Sequence, residues 1–274
     1  MSFDPSLPRD GVNVSRTHPL REAALLIAIV AAAGALCVVV IATAVDWLVP
    51  KLPPGLEARL FASAWPAAVG RDADDAEEAT RAAAAQQVLQ RLARHWSDNP
   101  YALRLGVMRE DQPNAFALPG GSVVLTSGLL ERVESENELA FVLGHELGHF
   151  HHRDHLRGLG RGLAFALVMA GLGAGGAAAD VAALGGQLAQ RGFDRDQERA
   201  ADRFALELLA AEYGHVAGVT QFFGRLPAPD GAVEEALTGY LATHPLHEQR
   251  VEALQALAEQ RGWPTTGALR PVAE

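Results

Sequence analysis

The sequence predicts an α+β fold, a mainly helical domain with a small β-sheet, preceded by one N-terminal transmembrane helix. Three observations predict it. Ala23 to Val45 carries no charge and is almost wholly apolar. Between residues 101 and 126, short alternating or β-branched runs are separated by turn residues, the pattern of a small sheet. Before and after that region, apolar residues recur at helical spacing behind recognisable start signals.

The 274-residue chain divides into an N-terminal tail 1–22, an anchor 23–48, a linker 49–75, a folded domain 76–265 and a C-terminal tail 266–274. A domain of that size buries a real core. At about 1.5 Å per residue the apolar stretch is long enough to cross a bilayer. Ala42-Thr43-Ala44 resembles a signal-peptide cleavage site. However, a signal core is only roughly 7–15 residues, and this run is longer and follows a long leader, which favours an uncleaved anchor. Leu36 before Cys37 argues against a lipoprotein site, so the lone cysteine is read as a membrane-buried thiol. Arg9, Arg16 and Arg21 precede the span and Lys51 and Arg59 follow it, a slight bias toward an inside N-terminus and an exported domain. Pro50, Pro53, Pro54, Gly55 and the acidic Asp72, Asp74 and Asp75 mark the linker as a spacer.

The domain opens with an Ala-rich amphipathic helix from Ala76 to Trp96. Strands are expected at Tyr101 to Met108, Asn114 to Leu118 and Ser122 to Thr126, with Pro119-Gly120-Gly121 as a turn and a short helix afterwards. Ser135-Glu136-Asn137-Glu138 fits a capping box, and Leu139, Val142, Leu143, Leu147 and Phe150 form an apolar stripe behind it. A second helix is expected around Glu198, with Asp194 and Asp196 near its start, Phe204, Leu206, Leu208 and Leu209 as apolar positions, and Gly214 as its stop. Ala200 and Ala201 would let another helix approach it closely. One short helix, Glu248 to Arg261, ends the domain.

The chemistry concentrates in His145-Glu146-Leu147-Gly148-His149. Two imidazoles four apart on a helix project from one face and can grip one zinc ion, while Glu146, rotated by about 100°, can act as general base without binding the metal. A third ligand has two candidates. His155 stands six residues after His149, but the pattern that uses such a histidine needs a glycine where His152 stands, and no clear Met-turn follows. The bland reading of His151, His152 and His155 is a polar helix end. Glu198 is the better candidate, because Asp202 one turn on can accept a hydrogen bond from a ligating histidine. Taken alone, Glu198 and Asp202 could equally pair with Arg195, Arg199 or Arg203 on a solvated face.

Four ordered motifs between about residues 76 and 255 resemble zinc metallopeptidases of family M48, the group of the CAAX prenyl, HtpX, OMA1-like and BepA-like proteases. They are Asn114-Ala115-Phe116-Ala117-Leu118-Pro119-Gly120-Gly121, Glu138-Leu139-Ala140 leading into the histidine motif, Glu198-Arg199-Ala200-Ala201-Asp202, and Thr243-His244-Pro245 with Arg250. The resemblance implies a zincin-like domain with one Zn2+ per chain. It implies His145, His149 and Glu198 as ligands, Glu146 as catalytic base to a zinc-bound water, Asp202 behind a ligand, His244 as a stabiliser of the transition state and Arg250 as its support. Pro245 would hold His244 in an extended approach. An edge strand beside the metal would bind an extended peptide, with Asn114 positioning the strand or the substrate, although Asn114 reads equally well as a turn residue.

The expected protein is thus a metalloendopeptidase of the bacterial inner membrane, single-pass, with its catalytic domain in the periplasm. Its expected substrates are misfolded or membrane-associated polypeptides in envelope quality control. The alternative is a chaperone-like or binding module for envelope proteins, with proteolysis secondary; a zinc hydrolase of a small non-peptide substrate is a third reading. The net charge of −10 argues against nucleic acid as a partner. A shared zinc site also constrains the Gly/Ala-rich stretch Leu156 to Gly192. One crossing there would separate Glu198 from the histidines, and two crossings do not fit a segment that carries Arg161 and Asp180. A flap over the cleft or membrane surface is therefore expected, or else a packed helical hairpin.

Overall fold

The computed structural model describes residues 19–61, 76–171, 195–219, 221–222, 244 and 248–272. Helix α1, Pro19–Leu48, contains the expected anchor and starts before it. At about 45 Å it exceeds the roughly 30 Å hydrocarbon thickness of a bilayer, and its apolar side chains are largely exposed. Its partly covered positions, Gly34, Val38, Ile41, Ala42, Val45 and Asp46, recur at helical spacing on one face. Helix α6, Asp154–Gly171, packs along α1. A Cβ on Gly160 would lie 2.7 Å from Val45, and Arg161 donates to both Asp46 oxygens at 2.8 and 2.9 Å. The first part of the expected flap is thus helix seated on the anchor; residues 172–194 lie outside the described residues.

The linker begins with a 3-10 turn, Val49–Lys51, and helix α2, Pro54–Leu60. Its acidic cluster, residues 72–75, lies outside the described residues. Helix α3, Ala76–Ala93, stops short of Trp96 and buries Ala85, Val88, Leu89 and Leu92.

Strands β1, Arg104–Met108, β2, Ala115–Leu118, and β3, Ser122–Thr126, form one sheet in the order β1-β3-β2. The fully buried β3 is central, parallel to β1 and antiparallel to β2. Pairing starts at Arg104 rather than Tyr101, because the Tyr101 amide donates to Asn99 Oδ1 in a local turn. Gly120 and Gly121, at φ 91° and 89°, supply the left-handed turn that returns β2 to β3. Helix α4, Ser127–Arg132, follows directly, capped by the Thr126 hydroxyl.

Helix α5, Glu136–His152, starts where the capping signal places it, with the Glu138 amide donating to Ser135 Oγ at 3.3 Å. Glu138 reaches back one residue further than a capping box requires, accepting from the Glu134 amide at 2.9 Å. The helix is buried all round from Asn137 to Phe150, wider than the expected stripe, because the sheet and α3 pack on it as well as a second long helix. That helix, α7, runs Arg195–Tyr213 and is closed by Gly214 at φ 75°. Gly144 and Gly148 of α5 lie against Ala205 and Ala201 of α7, where added Cβ atoms would meet Cα atoms at 3.1 and 2.6 Å. The close approach uses Ala201 and Ala205 rather than Ala200, which stands about 100° round the helix from Ala201. Helix α8, Glu248–Arg261, packs on α7. The chain then runs back to the start of α5, where the Glu136 amide donates to Arg270 O at 2.8 Å.

This contact gives the first expected outcome. Gly148→Ala gains about 1 kcal/mol of helix propensity. Its methyl group nevertheless has to enter the backbone of α7, so net destabilisation of about 1–3 kcal/mol is expected from chemical denaturation of the metal-stripped protein. An unchanged or raised midpoint contradicts so close an approach.

Candidate metal centre

Four side chains from three places in the chain converge in the core. His145 and His149 project from α5 and Glu198 from the first turns of α7, while His244 precedes α8; all are buried. Their nearest donor atoms lie within 4.8 Å of one another. His145 Nε2 and His149 Nε2 are 3.1 Å apart, and each is 3.5 Å from a Glu198 oxygen.

The opposite ring nitrogens explain why this cluster suits a cation. His145 Nδ1 donates to Asp202 Oδ1 at 2.9 Å and His149 Nδ1 donates to Asp154 Oδ2 at 3.0 Å. An ionised carboxylate only accepts, so each histidine carries a proton on Nδ1 and turns the lone pair of Nε2 toward the other. Two lone pairs and a carboxylate facing one another repel unless a positive charge lies among them. The 3.1 and 3.5 Å separations bracket the edge of about 3.3 Å of a tetrahedron with zinc bonds near 2.0–2.1 Å. The donor set therefore fits zinc.

Arg250 compensates the acidic side. Its guanidinium donates to both Asp202 oxygens at 2.6 and 2.7 Å and pairs with Glu198 Oε2 at 2.7 Å, all buried. Burial raises the Asp202 carboxyl, but Arg250 and His145 outweigh it and hold the group below the usual carboxylate range. Burial raises Glu198 as well, but the imidazoles that face it more than offset this and hold it low. Burial lowers the His149 pKa, yet Asp154 and the neighbouring glutamates raise it further, a pull toward positive charge at Nε2 that a bound cation would satisfy in place of a proton.

Glu146 differs from every other acid in the cluster. Neither of its buried oxygens makes a hydrogen bond among the described residues, and its Oε1 lies 3.3 Å from His244 Nε2. An unsatisfied buried carboxylate costs several kcal/mol, so its place beside a donor set that fits a metal calls for an explanation. His244 sits closer to this donor set than a surface turn residue would. Its Nδ1 is 3.0 Å from both His145 Nε2 and Glu198 Oε1, and burial pushes its pKa down.

Residues 79–258 match peptidase family M48. The chain belongs to that family. It is 34% identical over 166 residues to a Vibrio cholerae protein named as a beta-barrel assembly-enhancing protease, covering 56% of this chain and 34% of that one. It is 32% identical over 189 residues to the mitochondrial metalloendopeptidase OMA1 of Danio rerio, covering 63% and 40%. The Yersinia pestis beta-barrel assembly-enhancing protease is 30% identical over 166 residues, covering 56% and 34%. The chain thus spans about a third of the length of the first curated relatives it matches.

In this M48 chain, His145, Glu146, His149, Glu198, Asp202, His244 and Arg250 come together as one cluster. Pro245 lies outside the described residues, so the expected extended approach to His244 has no geometry here. Asn114 bonds within the sheet: its Oδ1 accepts from the Ala115 amide and its own amide donates to Thr126 Oγ1. His155 is no polar helix end. It is buried, with Nε2 2.8 Å from Glu57 Oε1, because the chain turns at Arg153 and carries it inward. Asp154 is the residue that sequence reasoning missed. A ligand-orienting acid five residues after a histidine has no helical spacing to announce it, since the helix ends between them.

The two carboxylates behind the ligands set the second expected outcome. Asp154→Asn and Asp202→Asn should each weaken zinc retention about 10–100-fold in chelator competition. Full retention in both would contradict the assigned orientation of the histidines.

Proposed function

We propose that this chain is a membrane-anchored zinc endopeptidase that hydrolyses peptide bonds in misfolded or membrane-associated polypeptides. We place it in the bacterial inner membrane as a single-pass protein, with α1 as the anchor and the catalytic domain in the periplasm. The observation that carries the reading is the buried Glu146 carboxylate, without a hydrogen bond among the described residues, beside His145, His149 and Glu198.

In this reading His145, His149 and Glu198 hold one Zn2+. When bound, the ion supplies a Lewis acid and lowers the pKa of water to about 7. Glu146 accepts the proton of the attacking water on a carboxylate oxygen and later gives it to the leaving amine. Its lack of competing hydrogen bonds leaves both oxygens available for that transfer. His244, with Nε2 on the side of Glu146, donates a hydrogen bond to the developing oxyanion. Asp202 fixes the His145 ring, and Arg250 fixes Asp202 while neutralising the acidic cluster. β2 is an edge strand that packs against α5, which supports an extended peptide lying along it and bonded through its main chain. Asn114, at the head of that strand, is proposed to hold its end in place for the substrate.

Glu146→Gln should keep zinc at one per chain and lower kcat by 10²–10⁴-fold or more on a peptide library. Loss of the metal, or cleavage at the parent rate, contradicts the assignment. His244→Ala should keep zinc and lower kcat about 10²–10³-fold with KM little changed. Zinc loss in that variant would instead make His244 a ligand.

A further inference from the structure

A second buried polar cluster joins the juxtamembrane segment to the catalytic domain. Glu57, in α2 and outside the residues that match the family, is only 3% exposed. Its Oε1 accepts from the Gly120 amide at 3.0 Å and faces His155 Nε2 at 2.8 Å, while its Oε2 accepts from the Tyr101 hydroxyl at 2.9 Å. These partners come from the β2–β3 turn, the start of α6 and the approach to β1. Phe61 lies on the same turn, its Cβ 3.3 Å from where a side chain on Gly120 would begin.

The neighbouring residues make this more than a fastening. Arg153, the C-cap of α5, donates to the carbonyls of Val49 and Leu52 in the segment after the anchor. It holds φ 58°, the single non-glycine positive φ among the described residues, so contact with that segment steadies a backbone conformation most side chains avoid. In Arg153-Asp154-His155, then, the outer two residues grip the juxtamembrane segment and the middle one bonds His149. Stability alone is a weak reason for such a cluster, because buried ionic groups often do no better than apolar residues of similar volume.

We infer that Glu57 is a positioning residue for the proteolytic site: it seats the juxtamembrane segment on the Arg153-Asp154-His155 corner, setting Asp154 against His149 and the Gly120 turn at the end of β2. This rests on the reading of His149 as a zinc ligand. Glu57 touches neither substrate nor metal; it acts through Asp154 and the turn. The anchor and the site are thereby mechanically joined by a residue that precedes the matched domain.

The test uses the full chain in detergent, with zinc retention by chelator competition and kcat and KM on a peptide as separate readouts. Glu57→Gln should weaken zinc retention several-fold to about 10-fold and raise KM, and Tyr101→Phe should do the same to a smaller extent. Glu57→Gln combined with Asp154→Asn should weaken retention less than the product of the two single effects, since both act through His149. A folded Glu57→Gln protein with parental retention and KM overturns the inference, as does a strictly multiplicative double variant. If Glu57→Gln does not fold, Tyr101→Phe decides, and parental values in it overturn the inference. If Asp154→Asn alone leaves retention unchanged, Asp154 does not act through His149 and the inference falls; absence of zinc from the parent chain would instead overturn the reading on which it rests.

Discussion

The close approach of α5 and α7 is the constraint on which the rest depends. Gly144 and Gly148 remove two side chains on one helix, and Ala205 and Ala201 present small ones on the other, so the backbones nearly touch. At that distance Glu198 and Asp202, one turn apart on α7, reach His145 and His149 on α5. A side chain larger than alanine at these contacts would push the helices apart and separate the candidate ligands. Gly148 lies between the two histidines, so the spacing that suits a metal and the spacing that lets helices touch are written into the same turn.

A cluster so acidic and so buried needs compensation, and it comes from a graded set of partners. Asp154 and Asp202 orient the histidines, and Arg250 offsets Asp202 and Glu198. Of these acids, Glu146 is the one left without a hydrogen bond among the described residues. Every other acid in the cluster is held to a fixed partner, which is why the proton-transfer role is proposed for the one that is not. Supporting groups arrive from α6, α7 and α8, which ties three helices to one centre.

Much of this was legible in the sequence because helical spacing is local. The Ser135 cap, the histidine pair, Glu198 with Asp202, and the β3 strand all rest on residues within a few positions of one another, and each stands where its pattern places it. What was not legible depends on where a chain turns. Asp154 reaches His149 only because α5 ends at a left-handed Arg153, and the same turn carries His155 inward to Glu57. The partner of a small residue is equally hidden: Ala201 and Ala205 pack on the glycines, whereas Ala200 differs from Ala201 only in helical phase. Glu57 lies in a proline-rich stretch whose composition signals a spacer, and only its three tertiary contacts show that part of the linker is built into the domain.

The central claim is that one zinc ion joins α5 to α7. Anomalous diffraction at the zinc edge, from crystals of the full chain, tests it most directly. The account predicts a single strong peak within about 2.0–2.2 Å of His145 Nε2, His149 Nε2 and a Glu198 oxygen, with Glu146 outside the coordination sphere. A peak coordinated by His155, or none among these residues in a zinc-replete crystal, would contradict it.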